Sequence, residues 1–259
     1  MISINPEVIS AGPLHIRWYG VMAATGLAVA YWLMSRRAKR YEMNGNDVSD
    51  LLFWAMLSAL VGARALYVIR FWSEEFASRP FISVFKVYEG GLVFFGGFAA
   101  AAIAVIAVSL IRKWEIWRAA DLMSPSLALG HAFGRIGCLL NGCCFGFEYS
   151  GPLAFKYEHV PVGTFPLQLF SAIGNVLICL CLLWLEKKGL CKKRLFLAYM
   201  ALYNVGRFCL EFGRGDYPKE QLFCGLTPAQ VTCLWLLPSI AIVYLVAWKR
   251  TRNSNTQKQ

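Results

Sequence analysis

The sequence predicts an all-α, polytopic membrane protein: seven transmembrane helices in one bundle, with the N-terminus outside and the C-terminus cytoplasmic. Three observations carry that expectation. Of 259 residues, 58% are hydrophobic and only 16% are charged, whereas a soluble domain carries nearer a quarter. Apolar runs of about 20 residues recur along the whole chain, long enough to cross a hydrocarbon core of ~30 Å. Basic residues outnumber acidic ones 26 to 15, and they gather in the loops that follow alternate runs.

The expected spans are 18–35, 48–71, 92–111, 119–140, 166–185, 195–212 and 226–248. The basic stretches "RRAKR" (36–40), "RKWEIWR" (112–118), "EKKGLCKKR" (186–194) and "KRTR" (249–252) follow spans one, three, five and seven, so they share one side. Loops 72–91, 141–165 and 213–225 hold fewer basic residues and more Glu, Gly and Pro. Basic loops stay cytoplasmic, which sets the orientation. The membrane domain is expected over 1–250, with 251–259 a disordered polar tail. The first residues lack the basic-then-apolar organisation of a signal peptide, and no internal repeat points to a secondary transporter. Loop charge accounts for the formal +11, so no nucleic-acid partner is expected.

Four charges stand out within the spans. Arg64 lies in span two, Arg135 near the outer end of span four, and Arg207 and Glu211 in span six. An arginine at the bilayer centre costs at least ~2.5–3.5 kcal/mol on insertion scales, so these residues should face inward. At 100° per residue, Tyr203, Arg207, Glu211 and Arg214 share an arc of about 80°, and His131, Arg135 and Cys138 one of about 60°. Two polar stripes could therefore meet. Arg207 and Glu211 can neutralise each other at i, i+4; Glu89 and Asp121, near span ends, are the acids left for Arg64 and Arg135. An excess of guanidinium over carboxylate implies an anionic ligand, and the guanidinium fork fits phosphate oxygens bidentately. In a bilayer the abundant phosphate is a phospholipid head group, so a lipid-binding cavity toward the outer side is expected.

The glycine patterns "GHAFG" (130–134) and "GCCFG" (142–146) have the small-xxx-small spacing of close helix crossings. "EGGLVFFGG" (89–97) should break and re-enter the bilayer, which is tolerated where backbone lines a cavity. Of nine cysteines, Cys138, Cys143 and Cys144 form C-x4-C-C. That spacing lacks the paired C-x2-C of strong zinc sites. Packing, a Cys138–Cys143 disulfide on the oxidising side and a role near substrate stay open; no metal and no cofactor are expected.

These residues resemble the phosphatidylglycerol–prolipoprotein diacylglyceryl transferase family over nearly the whole chain. The matching stretches, in order, are "IRWYG" (16–20), "GARALYV" (62–68), "EGGLVFFGG" (89–97), "GRIGCLLNG" (134–142), "FPLQLF" (165–170), "YNVGRFCLEFGRGD" (203–216) and "GLTPAQ" (225–230). The resemblance implies a multi-pass enzyme of the bacterial inner membrane, with phosphatidylglycerol and prolipoprotein signal peptides as its partners. It would move a diacylglyceryl group to the lipobox cysteine, forming a thioether and releasing glycerol phosphate. It implies that Arg135 and Arg207 hold the phosphate, Glu211 orients Arg207 and Arg214 supports the rim. Tyr19 would line the site, Asn141 and Gly146 would belong to the signature loop, and Arg64 and Tyr203 complete the expected binding set. Three positions depart from the family pattern: Phe95 replaces a frequent histidine, Cys138 a usual asparagine, and Cys143 a frequent glutamate. The acceptor thiol needs a base, and His131, one turn before Arg135, is the candidate. The alternatives are a divergent relative with another acceptor, or a non-catalytic phospholipid-binding or transport protein of the same fold.

Overall fold

Helices dominate, as long apolar runs in lipid require: backbone groups there must be satisfied within their own segment. The computed structural model describes residues 2–3, 7–11, 14–77, 79–87, 90–157, 160–191, 193–215 and 225–256. Among these the α-helices are α1 (Trp18–Ala38), α2 (Gly45–Arg70), α3 (Phe94–Ile111), α4 (Ile116–Asn141), α5 (Leu167–Lys187), α6 (Leu195–Glu211) and α7 (Pro228–Thr256). Four of them, α2, α3, α5 and the Pro228–Leu245 part of α7, are long and apolar enough to cross a membrane. The others are less apolar for identifiable reasons. Helix α1 ends in Arg36 and Arg37, α4 carries Asp121, His131 and Arg135, and α6 is 17 residues long and holds Arg207 and Glu211. Helix α7 continues to Thr256, so 251–256 are helical where a disordered tail was expected; 257–259 lie outside the described residues.

The fold is not purely helical. Short strands occur at β1 (Ile2–Ser3), β2 (Glu7–Ala11), β3 (Leu14–Arg17), β4 (Phe155–Tyr157) and β5 (Val160–Thr164). Strand β1 pairs in parallel with β4, which pairs antiparallel with β5, while β2 and β3 pair antiparallel. Strands of two to five residues are too short for an alternating pattern to register in the sequence.

The side-chain distribution is that of a lipid-facing protein. Large apolar groups point outward, with Ile69 73% and Trp235 75% exposed. Polar groups such as Gln168, Asn175, Asn204 and Gln230 are buried. The buried amides use nearby carbonyls: Asn175 Nδ2 donates to Ser171 O (2.8 Å) and Asn204 Nδ2 to Met200 O (2.7 Å).

The helices fall into two compact units, Met34–Leu122 and the remainder, Met1–Leu33 with Met123–Gln259. In the first, α2 and α3 cross at glycine. A Cβ added at Gly62 would lie 2.6 Å from Gly96 O and 2.3 Å from Ala100 Cβ, and one at Gly96 would lie 2.3 Å from Gly62 O. Backbone meets backbone there, the close approach that small residues permit. An Asn44–Asp47 capping box starts α2, and ion pairs Arg118–Glu42 (2.6 Å) and Arg112–Asp50 tie the basic loops to its start. Arg37 is buried and donates to Leu122 O (2.6 Å) and Asp121 O (3.2 Å).

In the second unit, Leu33, Ala128, Cys179, Leu182, Leu195 and Tyr199 form a core between α1, α4, α5 and α6. Gly26 and Gly130 make a close crossing of α1 and α4: a Cβ at Gly26 would lie 2.9 Å from Phe133 Cβ and 3.3 Å from Gly130 O. The "GCCFG" stretch, by contrast, is a turn after α4 and not a helix crossing. The β1–β4 pair and the Gly146–Arg214 bridge bring the segments before α1, after α4 and after α6 to one end of this unit.

Gly62→Val should therefore force α2 and α3 apart, a cost of about 1–3 kcal/mol by overpacking. Gly174→Ala, where an added Cβ meets nothing within 4 Å, should be neutral or slightly stabilising. Thermal unfolding of the two variants in detergent, followed with a thiol-reactive dye, checks the contrast.

Candidate functional site

At the C-terminal end of α6, three residues that the helical period puts on one face meet. Glu211 is 2% exposed. Its Oε2 lies 2.7 Å from Arg207 Nη2 and its Oε1 3.5 Å from Arg214 Nη1. The Arg207 contact is a close ion pair off the hydrogen-bond line, since Oε2 has no hydrogen-bond partner. Thr227 Oγ1 donates to Oε1 at 3.0 Å. Thr227 is fixed in turn by the start of α7. Its N–H donates to Gln230 Oε1 (3.0 Å), and its Oγ1 accepts from Gln230 N (3.3 Å). A buried carboxylate without partners would be very costly; this one gathers two guanidiniums and a hydroxyl.

The α4 stripe lies against the same helix. Tyr199 Oη is 3.1 Å from His131 Nδ1, the His131 ring stacks on Tyr203 at 5.1 Å, and Arg135 lies beside Tyr203. Tyr19, 47% exposed in the first turn of α1, packs beside Gly137, where an added Cβ would sit 3.2 Å from its ring. Asn141 closes α4, and the chain then reverses through Gly142 (φ 73) and Cys144 (φ 61). Cys143 N donates to Cys138 O (3.1 Å), and Gln168 Nε2 of α5 donates to Cys143 O (2.7 Å). This turn brings the Cys138, Cys143 and Cys144 sulfurs within 4.8 Å of one another, all as free thiols. Hydrogen bonds from Cys138 and Cys143 lower the Cys144 thiol, with help from the Arg135 and Arg214 charges. Sharing hydrogen bonds with Cys138 and Cys144 raises Cys143. Gly146 then pairs with Phe165 O (2.9 Å) and bridges Arg214. A Cβ there would lie 3.0 Å from both Gly213 O and Phe165 O, so glycine is what lets the α6 end approach.

Comparison with known proteins decides the family. The sequence model described as Prolipoprotein diacylglyceryl transferase matches residues 6–248. The chain belongs to that family. It is similar to the phosphatidylglycerol–prolipoprotein diacylglyceryl transferase of Shouchella clausii, at 33% identity over 95% of this chain and 91% of the relative. It is 33% identical to that of Synechococcus elongatus over 83% and 78% of the two chains. It is 30% identical to the phosphatidylglycerol–prolipoprotein diacylglyceryl transferase 2 of Clostridium perfringens over 95% and 96%.

Within this diacylglyceryl transferase fold, Arg64 behaves differently from the expectation of an unmatched guanidinium. It is buried in the unit Met34–Leu122, and backbone carbonyls take four of its hydrogen bonds. Nε donates to Val84 O (2.8 Å), Nη1 to Gly90 O (2.8 Å) and Gly91 O (3.2 Å), and Nη2 to Ser83 O (2.8 Å). The Tyr67 and Phe76 rings flank it at 5.6 and 5.4 Å. Arg64 folds the loop that precedes α3. Glu89, its expected acid, lies outside the described residues. Phe95 is 67% exposed against Phe94 and Phe98, so that position offers an apolar surface. Sequence reasoning missed Thr227 and Gln230, although T-P-A-Q is a capping box with proline at the first helical position. It also missed Tyr199, whose hydroxyl reaches His131 from the neighbouring helix.

Thr227→Val keeps the shape and removes the hydroxyl donor to Glu211. Leaving that acceptor short should cost about 1–3 kcal/mol, seen as a lower unfolding temperature in detergent. Thr227→Ser should restore wild-type behaviour.

Proposed function

We propose that this protein transfers a diacylglyceryl group from phosphatidylglycerol to the lipobox cysteine thiol of prolipoproteins. We place it in the bacterial inner membrane as a seven-span bundle, N-terminus outside and C-terminus cytoplasmic. Family membership over nearly the whole chain supports the activity. The observation that carries the site is the arginine cluster. Arg207 and Arg214 share one buried carboxylate, and Arg135 sits on the facing stripe beside Tyr203. Among the described residues three guanidiniums gather around one carboxylate, a positive setting that suits an anion.

That excess suits the reaction. A thiolate attacks the glyceryl carbon next to the phosphate, the S–C bond forms, and the C–O bond breaks with its electron pair going to the phosphate. A singly charged diester becomes a monoester that gains a second negative charge. Preorganised cations stabilise charge that grows in the transition state without reorganising, and guanidinium forks match the phosphate oxygens. Glu211 keeps Arg207 and Arg214 aligned, Tyr203 flanks Arg135, and Gly146 draws the Arg214 backbone toward the turn after α4. In this reading Asn141 and Gly146 shape the turn, and Tyr19 lines the mouth of the site.

His131 takes a positioning role in this reading. Its Nδ1 is engaged by Tyr199 and its ring supports Tyr203, so it steadies the side chain beside Arg135. Orientation draws support from the second unit. The segments before α1, after α4 and after α6 gather at one end, while the basic residues Lys187 and Lys188 lie at the opposite end of α5.

Complementation of a strain depleted of its own transferase should restore growth and lipoprotein labelling. Arg135→Lys keeps the charge and loses the fork, and transfer by the purified variant should fall about 10²-fold. His131→Gln should stay within a few-fold of wild type. Failure of the folded, inserted protein to complement would overturn the proposal.

A further inference from the structure

The cysteines of the turn after α4 are unexplained by phosphate binding. Cys138, Cys143 and Cys144 converge from the last turn of α4 and the reversal that follows it, with all three sulfurs within 4.8 Å of one another. A tetrahedral zinc with Zn–S bonds of about 2.3 Å holds its sulfurs about 3.8 Å apart, within reach of small side-chain rotations. The turn is fastened before any ion arrives, by Cys143 N to Cys138 O and by Gln168 Nε2 to Cys143 O. Cys144 holds a left-handed φ of 61, a conformation costly for a residue other than glycine or asparagine. That conformation aims a third sulfur at the other two. A disulfide explains the cluster less well, because three thiols cannot pair off and any one bridge strands the third.

We propose that Cys138, Cys143 and Cys144 hold a zinc ion whose fourth position is open to the acceptor thiol. Among the described residues no fourth His, Cys, Asp or Glu joins the group, and three protein ligands with one exchangeable position is the pattern of catalytic rather than structural zinc. Zinc with three thiolates carries one net negative charge, and the Arg135 and Arg214 charges that act on Cys144 offset it. Resting on the transferase reading above, the ion meets a chemical need: a thiol of pKa about 8.5 is only a few per cent ionised at neutral pH. A thiol that coordinates zinc loses its proton. The acceptor R–SH binds as Zn–S–R and its proton leaves to water at the outer mouth. A sulfur lone pair then forms the S–C bond as the C–O electron pair departs to the phosphate. Zinc stays divalent throughout, and no oxidant or reductant is needed.

The test uses full-length protein purified in detergent under reducing conditions without chelator. Elemental analysis should find one zinc per chain, and Cys143→Ser or Cys138→Ser should lose it while unfolding at a similar temperature. Protein reconstituted with cobalt should show thiolate-to-cobalt charge-transfer bands. Those bands should shift on adding a lipobox peptide with cysteine, and not with its serine counterpart. Metal-free protein with three freely alkylated thiols, or a disulfide found by mass spectrometry, overturns the proposal. So does a cobalt spectrum indifferent to the cysteine peptide. The spectrum needs no turnover: a protein that passes these tests yet transfers no lipid counts against the transferase reading alone.

Discussion

The site depends on one buried carboxylate. Glu211 is almost fully enclosed at the end of α6, in a chain whose helices present apolar side chains outward. An ionised acid there survives only if positive charge and hydrogen bonds surround it. Arg207 and Arg214 supply the charge and Thr227 the hydroxyl. The same contacts run the other way: the acid keeps two guanidiniums, which would otherwise repel, on one side of one helix. Because Thr227 also caps α7, the carboxylate couples the end of α6 to the start of the next helix.

From that anchor the rest of the site follows by short links. Arg214 bridges Gly146, which ties the end of α6 to the turn after α4. Gln168 reaches from α5 to the same turn. Tyr199 and Tyr203 carry the α6 face across to His131 and Arg135. The site is built from helix ends and the loops between them, while small-residue crossings such as Gly26 with Gly130 let the helices behind it pack closely.

Much of this was legible in the sequence. Helices α2, α3, α5 and the first part of α7 could be read because apolar length is a strong signal, and the α4 and α6 stripes because charge in such helices is rare and its period is fixed. The strands could not, being too short to show alternation. Arg64 was misread for a different reason. Its carbonyl partners lie 19 to 27 residues along the chain, in a loop whose path no periodicity predicts. That the three cysteine sulfurs meet was not legible, because spacing alone does not reveal a reversal through Gly142 and Cys144. Thr227 and Gln230 carried a readable capping signal, but their link to Glu211 is tertiary.

The central claim is that the guanidiniums gathered on α4 and α6 grip a lipid phosphate. Solid-state NMR dephasing between phosphorus of phosphatidylglycerol and guanidinium nitrogens of labelled protein in bilayers measures it directly. Single arginine-to-lysine variants assign the signals. Contact of the phosphate with Arg135 and with Arg207 or Arg214, and none with Arg64, is the predicted result. Dephasing confined to basic residues of the loops, with these guanidiniums untouched, would contradict the account.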